Sequence, residues 1–134
     1  MTSFNDFCEQ LEIKIQATYE QEVSIEDAVK LAAEFLHGQI EVSKELKKAD
    51  LDSRMRKSGL KAVKAAIYME ACGKSEKKPS DVLLEHTINL SDIVSQEQDA
   101  LDKAESDRDA LERYFNIFQN AHIYYRGIGK GNFS

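Results

Sequence analysis

Three observations on this 134-residue chain predict an all-α fold built on a long antiparallel helical hairpin with coiled-coil-like packing. One Pro and only six Gly leave long uninterrupted stretches suited to helix. From Leu90, apolar residues recur at alternating steps of four and three through Val94, Leu101, Ala104, Leu111, Phe115, Phe118 and Tyr125. That is the spacing of a helix offering one seam to a partner helix. A second periodic stretch starts at Ile25, and the one clear loop, Gly73 to Ser80, lies between the two. Two long helices joined by a loop make a hairpin.

In chain order, residues 1–23 form an N-terminal segment opening on a short helix. Phe4, Phe7, Cys8 and Leu11 share one face of it, with Ser3 placed to cap. From Leu11 to Tyr19 apolar and polar residues alternate, the period of a strand. Val82 to Leu90 alternates too, which leaves a small two-stranded element open beside helix or loop. Residues 24–72 read as a long basic helix, started by Ser24 with a Val23–Ala28 staple. Its stripe changes phase near Asp50 and resumes as Leu51, Met55, Gly59, Ala62, Ala66 and Met69, so a bend or break is expected between Lys48 and Ser53. Small Gly59, Ala62 and Ala66 would admit another helix closely. Residues 73–80 are loop, and residues 81–126 hold a short helix and then the long C-terminal one, capped at Ser91 or Ser95 and stopped by Gly127. Residues 127–134 are a glycine-rich tail, and the whole reads as a single domain.

At −6, the net charge argues against a general polyanion binder. Cys8 and Cys72 form neither a disulfide framework nor a metal pattern, and His37, His86 and His122 are too scattered for a ligand set. The N-terminus lacks the basic and apolar regions of a signal peptide, and no apolar run reaches membrane-span length. A cytoplasmic protein with no membrane partner and no cofactor is the expectation. No nucleophile elbow, HExxH, P-loop or Cys–His arrangement is present, so an enzyme is not expected.

Charge is uneven, however. Lys44 to Lys78 holds 11 basic and 5 acidic residues, whereas the remainder holds 7 and 19. At about 100° per residue, Arg54, Lys57, Lys61, Lys64 and Tyr68 share one narrow stripe of the central helix. A basic row ending in an aromatic suits phosphate contact with base stacking, and the bland alternative is a solvated face. In the tail, Tyr125, Arg126 and Lys130 are interleaved with glycines and invite the same reading, against that of a frayed end. The acidic run Asp99, Asp102, Glu105, Asp107 and Asp109 fits a solvated face better than a metal site. The seam residues Leu101, Leu111, Phe115 and Phe118 exceed what a two-helix hairpin covers, which predicts a homo-oligomer. Arg108 and Glu97 sit at core-type positions and need partners there.

The order of features resembles the phage recombination mediator family known as UvsY. The resemblance rests on chain length and on the acidic amphipathic opening from Phe4 to Leu11 (FNDFCEQL). Further along it rests on Leu60-Lys61-Ala62 with Tyr68 soon after, on Leu90-Ser91-Asp92, and on a long helix ending near Arg126. It spans most of the chain. The chain departs from the family pattern where a basic residue gives way to Val63, with Lys64 only adjacent, and in a shortened tail. The resemblance implies a ring-like homo-oligomer, in a host cytoplasm, that binds single-stranded DNA and helps load a recombinase. Its partners would be the recombinase or a single-strand-binding protein, and its DNA role would fall to Lys61 and, less directly, Lys64. Two other readings remain beside it. One is a coiled-coil adaptor or assembly protein that binds only proteins. The other is an acidic helical inhibitor.

Overall fold

The computed structural model describes residues 2–73, 88 and 91–131. Helix α1 spans Thr2–Thr18, α2 spans Ile25–Gly73 and α3 spans Asp92–Gly129. No strand occurs among the described residues, and α2 and α3 pack extensively as the expected hairpin. The loop and short helix expected over residues 73–88 lie almost entirely outside the described residues. By their internal packing the residues fall into two compact units, Met1–Lys47 with Asp109–Ser134 and Lys48–Arg108.

In the first unit, α1 covers the α2–α3 pair. Phe4, Cys8, Leu11 and Ile15 follow one helical face, and all four belong to its apolar clusters. This face settles the ambiguous stretch from Leu11. Leu11 and Ile15 turn inward four residues apart, while Ile13 between them is 56% exposed, so helix prevails over the strand option. One cluster joins Ala28, Leu31, Ala32 and Phe35 of α2 to Ala121 and Tyr125 of α3, and the next joins Val42 to Phe118. Contacts that climb α2 while descending α3 make the pair antiparallel. Ser24 caps α2 as expected, its hydroxyl accepting from the Asp27 amide at 3.1 Å, and Val23 packs onto the cluster of Ala28.

The last turn of α1 is tied to the end of α3. Thr18 donates its hydroxyl to the Lys14 carbonyl at 2.8 Å, so the Tyr125 hydroxyl, 2.7 Å away, donates to Thr18. His122 donates its Nδ1 proton to the Ala32 carbonyl at 3.0 Å. Two ion pairs, Arg113–Glu12 at 3.2 Å and Lys14–Glu34, link α1 to its neighbours. Both are solvent-exposed and are worth at most about 1 kcal/mol each.

In the second unit, Leu60 of α2 packs with Val94 and Leu101 of α3, and partly buried Val63, Ile67 and Ile88 join them. Arg108 donates to the buried Ser53 hydroxyl at 3.4 Å, the kind of partner a seam arginine needs. Ser91 caps α3, accepting from the Val94 amide at 3.4 Å. Three expectations fail along α2 and α3. Of the bend or break expected between Lys48 and Ser53, the break does not occur, because Ser53 and Leu60 keep a buried face going while the exposed stripe shifts. The face of Leu51, Met55 and Met69, expected to be buried, is 59%, 65% and 73% exposed. The end of α3 lies beyond Gly127: Gly131 takes the left-handed φ of +75° there, its amide donating to the Ile128 carbonyl at 2.9 Å.

A close approach expected at Gly59 falls at Gly38 instead. A Cβ on Gly38 would come within 2.6 Å of Leu11 Cδ1 and 3.2 Å of the Phe118 ring, so side chains of α1 and α3 close over this position. Around Gly59 a Cβ would meet nothing within 4 Å.

Gly59→Ala should therefore raise stability by about 0.5–1 kcal/mol through helix propensity alone. Gly38→Ala should lower it by about 1–3 kcal/mol through overpacking. Urea unfolding followed by circular dichroism separates them, and equal signs would contradict the packing described. Cys8 offers a second check. Burial, aided by the nearby Glu12 carboxylate, pushes its thiol from the ordinary 9.0 up to about 11. The unfolded chain loses that proton first, so the contribution of Cys8 to stability should be constant below pH 9 and erode as pH rises through about 11. A Cys8→Ala variant should lack that alkaline decline.

Candidate nucleic-acid interface

The second half of α2 presents three faces. Ser53, Leu60, Val63 and Ile67 face α3. Round to one side, at steps of three and four, run Arg54, Lys57, Lys61, Lys64 and Tyr68. Arg54, Lys57 and Lys61 are exposed, Lys64 is half-buried and Tyr68 is 36% exposed. The structure therefore brings these five together on one face within the Lys48–Arg108 unit.

Their availability differs. Arg54 pairs with Asp50 at 3.0 Å one turn earlier, and Arg56, on another side of the helix, pairs with Asp52 at 3.2 Å. Among the described residues, Lys57, Lys61 and Lys64 make no ion pair. Three unneutralised ammonium groups along about two turns of helix form a row that a phosphate backbone can follow. Tyr68 at its end exposes part of a ring on which a base can stack. Charge is also segregated within this unit. The α2 part, residues 48–73, carries six basic and three acidic residues, whereas α3 from Asp92 to Arg108 carries two and six. The lysine row thus sits on the basic helix of an oppositely charged pair.

The remaining candidates are placed differently. Tyr125 is 1% exposed, its ring 5.5 Å from that of Phe35 and its hydroxyl held by Thr18. It is a core residue, unable to stack on a base, because the seam spacing of α3 turns it inward. Arg126 and Lys130 are exposed but belong to the other unit. The oligomer seam needs the same correction. Leu101 and Phe118 are 6% and 0% exposed, and Leu111 and Phe115 pack on the cluster of Phe118. Leu101 is covered by Leu60 and Val94 in its own unit, and in the other unit Cys8, Phe4 and Phe7 of α1 join the cluster that holds Phe118, Leu111 and Phe115. Among the described residues, no cluster of three His, Cys, Asp or Glu is placed to hold a metal ion.

Sequence reading took the row Leu51, Met55, Ala62, Ala66 and Met69 as the packing stripe, whereas it is exposed. Two apolar stripes compete in this stretch, and periodicity alone does not say which one meets α3. The better signal was branching: Val63 and Ile67 beside Leu60 offer β-branched side chains for packing, while the other stripe has one leucine, two alanines and two methionines.

Removing the Tyr125 hydroxyl should test its structural role. Tyr125→Phe should cost about 1 kcal/mol in thermal or chemical unfolding, the value of one hydrogen bond, with the ring still packed. Thr18→Val should cost a similar amount, and the double variant should fall short of the sum. An additive double variant would mean the pair is not coupled.

Compared with protein families, with curated proteins and with solved structures, the chain matches none.

Proposed function

We propose that this chain is a non-enzymatic accessory factor of DNA recombination that binds single-stranded DNA. In this reading Lys57, Lys61 and Lys64, with Arg54 at one end, contact successive phosphates, and Tyr68 stacks on a base. The observation that carries it is the row of three lysines without ion pairs on one helix face, ending in an accessible aromatic ring. Resemblance to the UvsY family supports the recombination setting, self-association, and a recombinase or single-strand-binding protein as partner. Arg126 and Lys130 are exposed cations that can add to attraction at long range but are not required for the row. A second reading, a protein-interaction adaptor without nucleic acid, draws on the exposed apolar row.

Salt separates the two. Each phosphate neutralised on a single strand releases condensed counterion, so log affinity should fall against log salt with a slope of about −0.7 per contact. Fluorescence anisotropy of a labelled oligonucleotide should give a slope near −2 for the three lysines, and Lys61→Glu with Lys64→Glu should flatten it. The loss should be alike on every sequence, because phosphate contacts carry no base information. Tyr68→Ala should cost about 1–3 kcal/mol of affinity with little change in slope. All these side chains lie off the buried face, so helical content should be unchanged. Absence of salt-sensitive binding at low ionic strength would leave the adaptor reading in its place.

A further inference from the structure

Where the start of α1 lies against α2, Ser3, Phe4, Phe7, His37 and Glu41 line an open cleft of about 440 Å³. That is the size of a small-ligand pocket. All five residues belong to the first unit. The wall is aromatic. The Phe4 and Phe7 rings stand 6.2 Å apart, tilted by 33°, and the His37 ring meets that of Phe7 at 5.9 Å and 83°. Both phenylalanines are half-buried, so part of each side chain stays accessible. Several polar groups of the cleft have no partner in the chain. Among the described residues, the Ser3 hydroxyl and the His37 ring nitrogens make no hydrogen bond, and Glu41 engages one oxygen alone, Oε1, with Lys44 at 3.1 Å. An aromatic wall with a few unpaired polar atoms is the make-up of a ligand site. The surrounding charge selects the ligand. From Thr2 to Glu12, α1 carries three acids and no base, and from His37 to Glu45, α2 carries two acids and one base. Such a field repels phosphates and carboxylates and attracts a cation.

We propose that this cleft binds a small organic cation, an ammonium group carried on an apolar body. The ammonium lies over the Phe4 and Phe7 rings and against Glu41 Oε2, where ring quadrupoles and a carboxylate attract the same charge. The His37 ring flanks the apolar body, and the Ser3 hydroxyl meets a polar group on it. A methylated ammonium suits such a place best, because its methyl groups pack on aromatic faces while the charge is kept. Lys44, which is not part of the lining, already sets an ammonium on Glu41 from outside the cleft. Both side chains of that pair are solvent-exposed, at 63% and 36%, and a pair of this kind is weak. It lowers affinity for a ligand without closing the site. This inference goes beyond the proposed DNA binding: the cleft belongs to the other unit and uses no residue of the lysine row.

Choline is the probe, and its uncharged carbon analogue, with tert-butyl in place of trimethylammonium, is the control. In a nuclear magnetic resonance titration of the full chain, choline should shift the signals of Phe4, Phe7, His37 and Glu41 together, and the analogue should bind far more weakly. Glu41→Gln keeps the side chain's shape and should weaken choline binding about fivefold, the upper end of what an exposed ion pair contributes. Lys44→Gln should act in the opposite sense, tightening binding by up to about fivefold. Neither residue belongs to an apolar cluster, so helical content should be unchanged in both variants. A trimethyllysine amide reads the source of the cation. Binding tighter than that of choline assigns it to another protein's side chain, weaker binding to a free amine, and either supports the site. Choline that moves none of these signals at tens of millimolar overturns the proposal. Equal binding of the uncharged analogue, or a Glu41→Gln variant that binds as well as the wild type, overturns it too.

Discussion

Much of the first unit depends on one close approach. Gly38 of α2 presents no side chain where Leu11 of α1 and Phe118 of α3 converge. A methyl group there would displace either a leucine or a ring that is wholly buried. Because Phe118 fills that space, Val42 and Cys8 can close around it, and α1 seats across the hairpin instead of standing free. The third helix then covers Leu111 and Phe115, apolar surface that two helices alone would leave wet. A close-packed interior holds such a three-way contact only if each member keeps its volume.

The hairpin was legible in the sequence because α3 obeys a single period from end to end. Val94, Leu101, Ala104, Phe118 and Tyr125, spaced by four and three, are all buried, and Ser91 and Ser24 cap where side-chain chemistry says they should. Less could be read where two patterns overlap. Leu11 to Tyr19 satisfies both a strand and a helix period, and only the tertiary contacts of Leu11 and Ile15 decide between them. In α2 the stripes of Leu51–Met69 and Ser53–Ile67 compete, and a serine at a buried position disguises the one that is used. Among candidate site residues, the lysine row was readable because exposed faces of helices keep their spacing regardless of partners. Tyr125 was misplaced because an aromatic next to basic and glycine residues looks the same in sequence whether it ends a core or begins a tail.

Opposite charge on adjacent helices gives the Lys48–Arg108 unit a lateral polarity. The acidic outer surface of α3 repels a polyanion, while the basic row of α2 attracts one, so a strand approaching this unit is steered to one side. Overall acidity is therefore compatible with nucleic-acid binding when the minority charge is concentrated on one element. The short reach of such fields at physiological salt, about 8 Å, makes the distribution more informative than the total.

Three faces crowded onto one length of α2 also limit how this chain can change. Substitutions on one face leave the other two in place, so packing, basicity and the apolar row can drift separately. Insertions cannot. A single residue added near Gly59, where space is free, would turn everything after it by about 100°. Leu60, Val63 and Ile67 would leave α3 together, and the end of the lysine row would move out of line with its beginning. Along this segment a change of length therefore disrupts more than a change of composition, and natural variants of the chain should differ there by replacement rather than by gaps.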